Sequence, residues 1–378
     1  MGENKVAGCQ RVVIKVGTST LTDGSGRIDR EYIADLAAQL AGLHNNGKEL
    51  ILVTSGAIRA GREALGLIRD GLKPLTLPQS QAAAAAGQSR LMETYSQAFF
   101  RHQIVCAQIL LTREDLADRR RYLNARNTLV ALLSLSAIPI INENDSVSVD
   151  EIKIGDNDTL AALVAGLVDA DILIMLSDVD GLFGPNRQDA GRKVIRRVEK
   201  IDAQIMALAG ESESGVGSGG MRTKVEAARI AAASHIWTVI APGRQAGILK
   251  AILSGEPVGT TFVPRPTILS SRKRWIMHGS RPKGLIVVNH RAGERLRAGG
   301  ASLLAVGIVA VSGHFRSGDI VELRGEGGDT IGRGQVNYTA DEVRRVMGLH
   351  SDQFADILGY TGFDEIIHRN NLVIAEEA

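Results

Sequence analysis

The sequence predicts an α/β protein, in which a three-layer αβα sandwich with a mainly parallel sheet is followed by a small β-rich domain. Through residues 1–262, short β-branched runs alternate with longer segments of helical spacing. These runs are apolar at almost every position, which is typical of strands buried between two layers of helices. Farther along the chain, short β-like runs are separated by glycine turns instead.

The elements of the first region follow from this alternation. Strands are predicted at residues 11–16, 50–53, 104–111, 138–141, 172–176 and 236–240. Helices are predicted at residues 29–45, 79–100, 122–135 and 225–234, with two more beginning at Ser55 and near Asp158.

A proline-rich stretch separates the two regions. Four prolines punctuate residues 257–282, which indicates a linker. We therefore divide the chain into residues 1–262, a linker of residues 263–282, and a second domain of residues 283–378. In that domain we predict β-like runs at residues 285–288, 302–306, 307–311, 320–323 and 331–336, a helix at 340–347, and a last strand at 372–374.

The composition is that of a globular protein with a large core. The 378 residues are 44% hydrophobic and 23% charged, and the formal net charge is +2. Two cysteines are too few for a disulfide framework or a metal site of cysteine type. Residues 1–10 lack an apolar signal core, and Asp169 and Asp171 interrupt the most apolar long stretch. We therefore expect a cytoplasmic location and no membrane partner.

The charge balance of the tail bears on nucleic-acid binding. Residues 283–378 hold 10 Lys and Arg against 13 Asp and Glu, whereas a nucleic-acid domain is usually clearly basic. This balance argues against RNA as the main partner, although the basic cluster at residues 272–274 could contribute to such binding.

A lysine in the first strand is the first candidate for phosphate binding. The Walker pattern is absent from the sequence, and the Rossmann glycine pattern is absent at the first strand. Instead, Lys15 lies inside an apolar run, and Gly17, Thr18 and Ser19 follow at the carboxyl end, where α/β sheets place their ligands. A cation beside backbone N–H groups suits an anion. Taken alone, a lysine at the sheet edge remains an alternative.

A second lysine opens a later helix. The segment SGVGSGGMRTK ends in Lys224, in the first helical turn. A lysine there is unfavourable to the helix dipole unless an anion is bound nearby. A flexible linker is the alternative interpretation of this glycine-rich segment.

Other polar groups also follow strands. Ser55 after the second strand could cap a helix or meet a ligand. Residues 142–145 and 156–158 form two acidic clusters, which suggest an amine, a metal–phosphate or lysines as partner. Ser177 and Asp178 follow another strand, where turn formation and nucleotide contact are both compatible with the pattern.

Together these loops suit phosphoryl transfer, which depends mainly on positioning and charge neutralisation. No catalytic base is evident in the sequence. A carboxylate acceptor needs none, because a glutamate side chain with a pKa of about 4.3 is already ionised at neutral pH.

The motifs resemble those of the glutamate 5-kinases, a branch of the amino-acid kinase family. They are VIKVGTST, VTSGAIRAGRE, AAAAAGQSRLM, LLTREDLADRRRYLNARNTL, IPIINENDSV, EIKIGDNDTLAA, LSDVDGLF and SGGMRTKVEAA, in this order. The likeness covers residues 10–262. The tail, with KGLIVVNHRAG, ASLLAVGI, FRSGDIVELR and ILGY, is similar to the PUA domain.

The resemblance implies an amino-acid kinase fold with a PUA-like tail, and transfer of phosphate from ATP to L-glutamate in the first step of proline biosynthesis. It assigns catalytic roles to Lys15, Lys224 and Asp158, and glutamate binding to Ser55, Asp145 and Asn157. It assigns ATP binding to Lys15, Ser177, Asp178, Ser218, Gly219, Gly220, Met221, Arg222, Thr223 and Lys224. Mg²⁺ is expected on the phosphates rather than in a metal site of the protein. Ser177 departs from the family pattern, which often has Thr there, but keeps the hydroxyl.

The resemblance also implies a homo-oligomer, feedback inhibition by proline and functional coupling to glutamate-5-semialdehyde dehydrogenase. Two alternatives to the function stay open. The acceptor could be aspartate, acetylglutamate, carbamate or a nucleotide, or the protein could act mainly on RNA through its tail.

Overall fold

The structure, a computed structural model, describes residues 4–67, 74–147, 156–184, 193–210, 220–264, 273, 275–279, 281–360 and 362–375. The chain divides into two compact units, residues 1–115 with 119–268 and residues 116–118 with 269–378. The narrower limits drawn from the sequence stay a prediction. Among the helices that the structure describes, none combines the length and apolar character needed to cross a bilayer.

The first unit contains eight strands and eleven helices within its described ranges, and one of these helices, Arg113–Ala117, has its last two residues in the second unit. The strands are β1 (Arg11–Val16), β2 (Glu49–Val53), β3 (Cys106–Leu111), β4 (Ile138–Glu143), β5 (Ile172–Ser177), β6 (Arg197–Val198), β7 (Trp237–Pro242) and β8 (Thr260–Phe262). The helices are α1 (Asn4–Ala7), α2 (Thr18–Leu21), α3 (Arg30–Asn45), α4 (Ala57–Ala64), α5 (Leu77–Phe100), α6 (Arg113–Ala117), α7 (Arg119–Ser134), α8 (Asp156–Leu167), α9 (Ala203–Ala209), α10 (Met221–Ala233) and α11 (Ile248–Leu253).

The eight strands form one sheet in the order β3-β4-β2-β1-β5-β7-β8-β6. Every neighbouring pair is parallel except β7 with β8. The predicted mainly parallel sheet is therefore confirmed. The sequence interpretation missed β6 and β8, which have two and three residues and carry too little periodicity to be recognised.

Helices cover both faces of this sheet. On one face, Val12, Ile14 and Val16 of β1 are buried in a core with α3, α5 and α11. Successive side chains of a strand point to opposite faces, so Lys15 points to the other face, where α8 packs on β1. The alternation along β1 thus directs a charged side chain into a buried layer.

The polar caps explain where the helices of the first face begin. Asp29 precedes α3 and accepts a hydrogen bond from the backbone N–H of Tyr32 at 3.0 Å. Thr76 and Gln79 form a capping box at the start of α5. Helices α4 and α5 cross at Gly61 and Gly87, where an added Cβ on either glycine would overlap the other helix's backbone.

The second unit is β-rich, as predicted. Its described strands are β9 (Gly284–Val288), β10 (Ile308–Gly313), β11 (Ile320–Gly325), β12 (Thr330–Gln335) and β13 (Leu372–Ile374), in the order β10-β9-β11-β12-β13. Its described helices are α12 (His290–Arg297), α13 (Ala340–Val346) and α14 (Phe354–Leu358), with a π-helical turn at Trp275–Gly279 and 3₁₀ turns at Ala305–Gly307, Ser351–Gln353 and Arg369–Asn371. Its core includes the buried Ile286, Leu323 and Val343.

One predicted strand of this unit is wrong. Residues 302–306 lead into the 3₁₀ turn Ala305–Gly307 instead of a strand. The carbonyl of Ala305 accepts a hydrogen bond from the N–H of Gly348, after α13, and only Leu303 makes an isolated bridge, to Ile367. The backbone groups of this segment are thus used by different partners and do not form a ladder.

Candidate active site

The candidate site lies at the carboxyl ends of the parallel strands, where β1, β2, β4 and β5 give way to loops. The helices α8 and α10 begin at the same edge and pack against each other. Open α/β sheets place ligands at this edge. Polar side chains from these elements form two connected groups.

The first group, which we call the Lys–Asp–Lys cluster, consists of Lys15, Asp158 and Lys224. Lys15 Nζ lies 2.6 Å from Asp158 Oδ1, and Lys224 Nζ lies 3.4 Å from Asp158 Oδ2. The three residues are 5%, 0% and 6% exposed. Two ammonium groups share one carboxylate, so this buried cluster carries a net positive charge and favours an anion.

Burial and the neighbouring charges shift the pKa values of Asp158 and Lys224 in opposite directions. Burial by itself raises the pKa of Asp158, but the charges of Lys15 and Lys224 and a hydrogen bond from Thr223 outweigh it, so this pKa lies below its usual value. Burial lowers the pKa of Lys224, and the nearby carboxylate of Asp158 only partly opposes this effect. Asp158 is therefore ionised at neutral pH, and its charge opposes the loss of the proton from Lys224.

The start of α10 completes this group. Thr223 Oγ1 lies 2.7 Å from Asp158 Oδ2 and 2.8 Å from the carbonyl oxygen of Gly220. The N-cap residue Gly220 has no side chain to satisfy the first N–H groups of the helix, and a helix start of this kind suits an anion. Met221 is half-buried and Arg222 is exposed in the same turn. The predicted nucleotide residues Ser218 and Gly219 lie outside the described residues.

Ser177 and Asp178 follow β5 on the same edge. Ser177 is buried and its hydroxyl donates to Asp178 Oδ1 at 3.1 Å, while Asp178 is exposed. The charge of Asp178 is one of the minor influences that raise the pKa of Lys224, which places this carboxylate near the cluster.

The second group, which we call the asparagine network, is centred on Asn157. Its side-chain amide donates to the carbonyl oxygen of Thr54 at 2.8 Å and to Ser55 Oγ at 2.9 Å. It also lies 3.0 Å from Asn142 Oδ1. Asn157 Oδ1 is buried and accepts no hydrogen bond within the described structure, so it can accept one from a ligand.

Asp145 is the remaining residue that was predicted to bind glutamate. It is half-buried in the turn after β4, and burial raises the pKa of its carboxyl to about 6. None of the described hydrogen bonds joins it to Asn157 or Ser55. The structure therefore brings together five predicted residues, Lys15, Asp158, Lys224, Asn157 and Ser55, and Asp145 follows β4 at the same edge of the sheet.

Comparisons with known proteins agree with this architecture. The amino acid kinase family matches residues 10–242, and the PUA domain matches residues 284–358. The protein "Glutamate 5-kinase" of Anaeromyxobacter dehalogenans is 48% identical over 376 residues, which cover 100% of this chain and 99% of that protein. The chain belongs to the glutamate 5-kinases of the amino acid kinase family.

Two further relatives support the family assignment and the fold. The "Glutamate 5-kinase" of Trichlorobacter lovleyi is 48% identical over 366 residues, 97% of this chain and 96% of that protein. The structure "Carbamate kinase from Giardia lamblia bound to AMP-PNP" covers 68% of this chain and 100% of its own, with a TM-score of 0.51 and 18% identity. At 18% identity, the likeness to carbamate kinase shows a shared fold alone.

Sequence reasoning missed several residues of the asparagine network. Asn142 belongs to the first predicted acidic cluster and Thr54 directly precedes Ser55, but neither is predicted as a site residue. Gln88 and Tyr95 lie in α5, where Gln88 Oε1 accepts from Asn142 Nδ2 at 2.8 Å and Tyr95 OH lies 2.9 Å from Thr54 Oγ1. Two polar side chains on the face of α5 that is otherwise apolar in sequence were the signal that could have identified them.

Proposed function

We propose that this protein phosphorylates the γ-carboxylate of L-glutamate with ATP and so forms L-glutamyl 5-phosphate, the first step of proline biosynthesis. The Lys–Asp–Lys cluster carries the proposal. A buried arrangement with one excess positive charge is unfavourable on its own, and it suits a site in which a phosphoryl group brings negative charge.

In this proposal Lys15 and Lys224 stabilise the transferring γ-phosphoryl group. Asp158 lies within ion-pair distance of both ammonium groups and holds them in place, so they are oriented before the substrate binds. Phosphoryl transfer requires mainly such positioning and charge neutralisation. The N–H groups at the start of α10 add donors for the phosphate oxygens.

The nucleotide is assigned to the side of the cluster formed by β5 and α10. Ser177, Asp178 and Gly220 through Thr223 supply hydroxyl, carboxylate and backbone groups there, and the assignment of Ser218 and Gly219 remains a sequence-based proposal. Mg²⁺ is expected as a companion of ATP, and it neutralises phosphate charge. Within the described ranges, no group of three or more His, Cys, Asp or Glu side chains could hold a metal ion. The ion would be held mainly by phosphate oxygens, and the exposed carboxylate of Asp178, whose charge acts on Lys224, is the side chain proposed to assist.

Glutamate is assigned to the asparagine network. Ser55 and Asn157 offer a hydroxyl and a buried amide oxygen. The N-cap Gly56 provides no side-chain cap for α4, so the first N–H groups of that helix suit a carboxylate. Asp145 would pair with the ammonium group of the amino acid. Because Asn157 and Asp158 are consecutive, the acceptor and the phosphoryl group meet at the start of α8.

The chemistry requires no general base. An oxygen of the ionised γ-carboxylate attacks the γ-phosphorus, the bond to the β,γ-bridging oxygen breaks, and ADP leaves. No proton has to be removed from the acceptor, and no described side chain is assigned to that task.

Trapping with hydroxylamine tests the proposal. Acyl phosphates react to give a hydroxamate, so purified protein with Mg-ATP and glutamate should yield glutamyl hydroxamate. Aspartate, acetylglutamate, carbamate and UMP are tested in parallel, with ADP formation measured for each. Glutamate-independent ADP formation, or faster turnover with another acceptor, would contradict the assignment.

RNA binding as the main function is not favoured, because a PUA domain by itself does not argue for it and the tail is acidic in balance. Homo-oligomer formation, inhibition by proline, coupling to glutamate-5-semialdehyde dehydrogenase and the cytoplasmic location stay predictions.

A further inference from the structure

Helix α5 brings two buried polar side chains to the asparagine network. Gln88 is 8% exposed and Tyr95 is fully buried. They are seven residues apart, which places them on one face of the helix two turns apart. Gln88 reaches Asn142 at the end of β4, and Tyr95 reaches Thr54 after β2, so one helix contacts two separate strand ends.

The two residues that Gln88 and Tyr95 contact are themselves hydrogen-bond partners of Asn157. Asn142 Oδ1 and the carbonyl oxygen of Thr54 both lie within hydrogen-bond distance of the Asn157 amide. Asn142 Oδ1 also accepts from the backbone N–H of Glu143 at 2.9 Å, while its Nδ2 donates to Gln88. The Asn142 side chain is therefore fixed at both of its polar atoms, and Gln88 supplies one of these restraints.

The same helix is locked against α4. Gly87 stands at the crossing with α4, where an added Cβ would overlap the carbonyl oxygen of Ala57. The residue next to Gln88 thus touches the first turn of the helix that follows Ser55. The position of Gln88 is consequently tied to the start of α4 as well as to β4.

Gln88 also retains an unused polar group. Its Nε2 is buried and has no hydrogen-bond partner within the described structure. An unpaired buried donor is unfavourable, and an apolar side chain of similar size would avoid it. Its presence in an otherwise apolar layer indicates a role other than packing.

We propose that Gln88 and Tyr95 are positioning residues for the glutamate acceptor. They hold Asn142 and Thr54, and these two residues fix the orientation of the Asn157 amide beside Ser55. This inference rests on the proposed function, because it assumes that the asparagine network binds glutamate. Neither side chain is expected to contact the transferring phosphoryl group.

The test uses Tyr95→Phe and Gln88→Leu in the full-length protein. Losing one orienting hydrogen bond should raise the KM for glutamate about fivefold to tenfold. The KM for ATP should change less than about twofold, because the Lys–Asp–Lys cluster is intact. Gln88→Glu keeps an acceptor for Asn142 and should recover part of the loss. Tyr32→Phe is the matched control, since it removes a buried hydroxyl that has no hydrogen-bond partner in the described structure.

A double-mutant cycle distinguishes positioning from general stability. In an Asn157→Ala background, Tyr95→Phe and Gln88→Leu should have little further effect on the KM for glutamate, because both act through Asn157. Equal effects in both backgrounds, or a lowered Tm with an unchanged KM, would overturn the inference. If Gln88→Leu does not fold, the conservative Tyr95→Phe decides alone. If wild-type protein forms no glutamyl hydroxamate, the proposed function fails instead.

Discussion

Replacing Asp158 with Asn should damage both the stability and the activity of this protein. The substitution keeps the size of the side chain but removes the only negative charge within the Lys–Asp–Lys cluster. At 3.4 Å and an effective dielectric constant of about 20, the gross attraction between Asp158 and Lys224 is about 5 kcal/mol. Desolvation offsets much of this, and breaking one buried pair typically costs about 3–5 kcal/mol.

The effect on activity has a defined pH signature. Burial already lowers the pKa of Lys224, and Asp158 opposes that effect. Without this carboxylate the pKa of Lys224 should fall further, so the lysine should lose its proton at a lower pH than in the wild type. The kcat should therefore decrease at least about 100-fold at neutral pH, since misplaced charges lose that much. In the pH profile of kcat, the decrease on the alkaline side should also move to lower pH.

The assay combines urea unfolding with kcat measured from pH 6 to 10 at saturating ATP and glutamate. Asp169→Asn is the matched control, because it removes a carboxylate whose described ion pair, with Arg126, is partly exposed and should contribute at most about 1 kcal/mol. An Asp158→Asn protein with wild-type kcat and an unshifted alkaline limb would refute the reasoning.

Three further predictions follow from the same structure. Lys15→Ala and Lys224→Ala should each lower kcat about 100- to 1,000-fold while circular dichroism shows a folded protein, and normal turnover in either variant would contradict the site assignment. The KM for glutamate should rise as pH falls through about 6, because protonation of Asp145 removes the charge that pairs with the ammonium group, and Asp145→Asn should abolish this dependence. Gly87→Ala should lower the free energy of unfolding by about 1–3 kcal/mol because its Cβ overlaps α4, whereas Gly42→Ala, with open space around an exposed helix position, should stabilise by up to about 1 kcal/mol.

The sequence predicts the position of the candidate site, because residues at the carboxyl ends of parallel strands lie at the same edge of the sheet. Lys15 stands in a β-branched run, so its place at the end of a buried strand is readable without a structure. Its partner is not readable, because Asp158 lies far away in sequence and no periodicity connects the two. Only the packing of α8 on β1 brings them within 2.6 Å.

The different roles proposed for the neighbouring residues Asn157 and Asp158 also could not be predicted from the sequence. The sequence marks residues 156–158 as one acidic cluster and explains one member as a helix cap. Consecutive side chains in a helix point about 100° apart, so Asn157 turns to Ser55 while Asp158 turns to the lysines. One helix start thereby serves two proposed substrates.

Gln88 and Tyr95 of α5 could not be predicted as site residues for a different reason. The sequence predicts a helix at residues 79–100, and α5 occupies this segment, but the pattern says nothing about which strand ends the helix reaches. Gln88 and Tyr95 gain their significance from the closeness of α5 to β2 and β4, which is a tertiary property. The missed strands β6 and β8 have another cause, since two and three residues carry too little periodicity to be recognised.

The most direct test of the central claim is to follow one oxygen atom. Glutamate labelled with ¹⁸O in its γ-carboxylate is incubated with the protein and Mg-ATP, and the acyl phosphate is trapped with hydroxylamine. Direct attack of the carboxylate on the γ-phosphorus predicts that the released inorganic phosphate carries one ¹⁸O atom. Unlabelled phosphate released in step with ADP would show that the carboxylate is not the acceptor and would contradict the account.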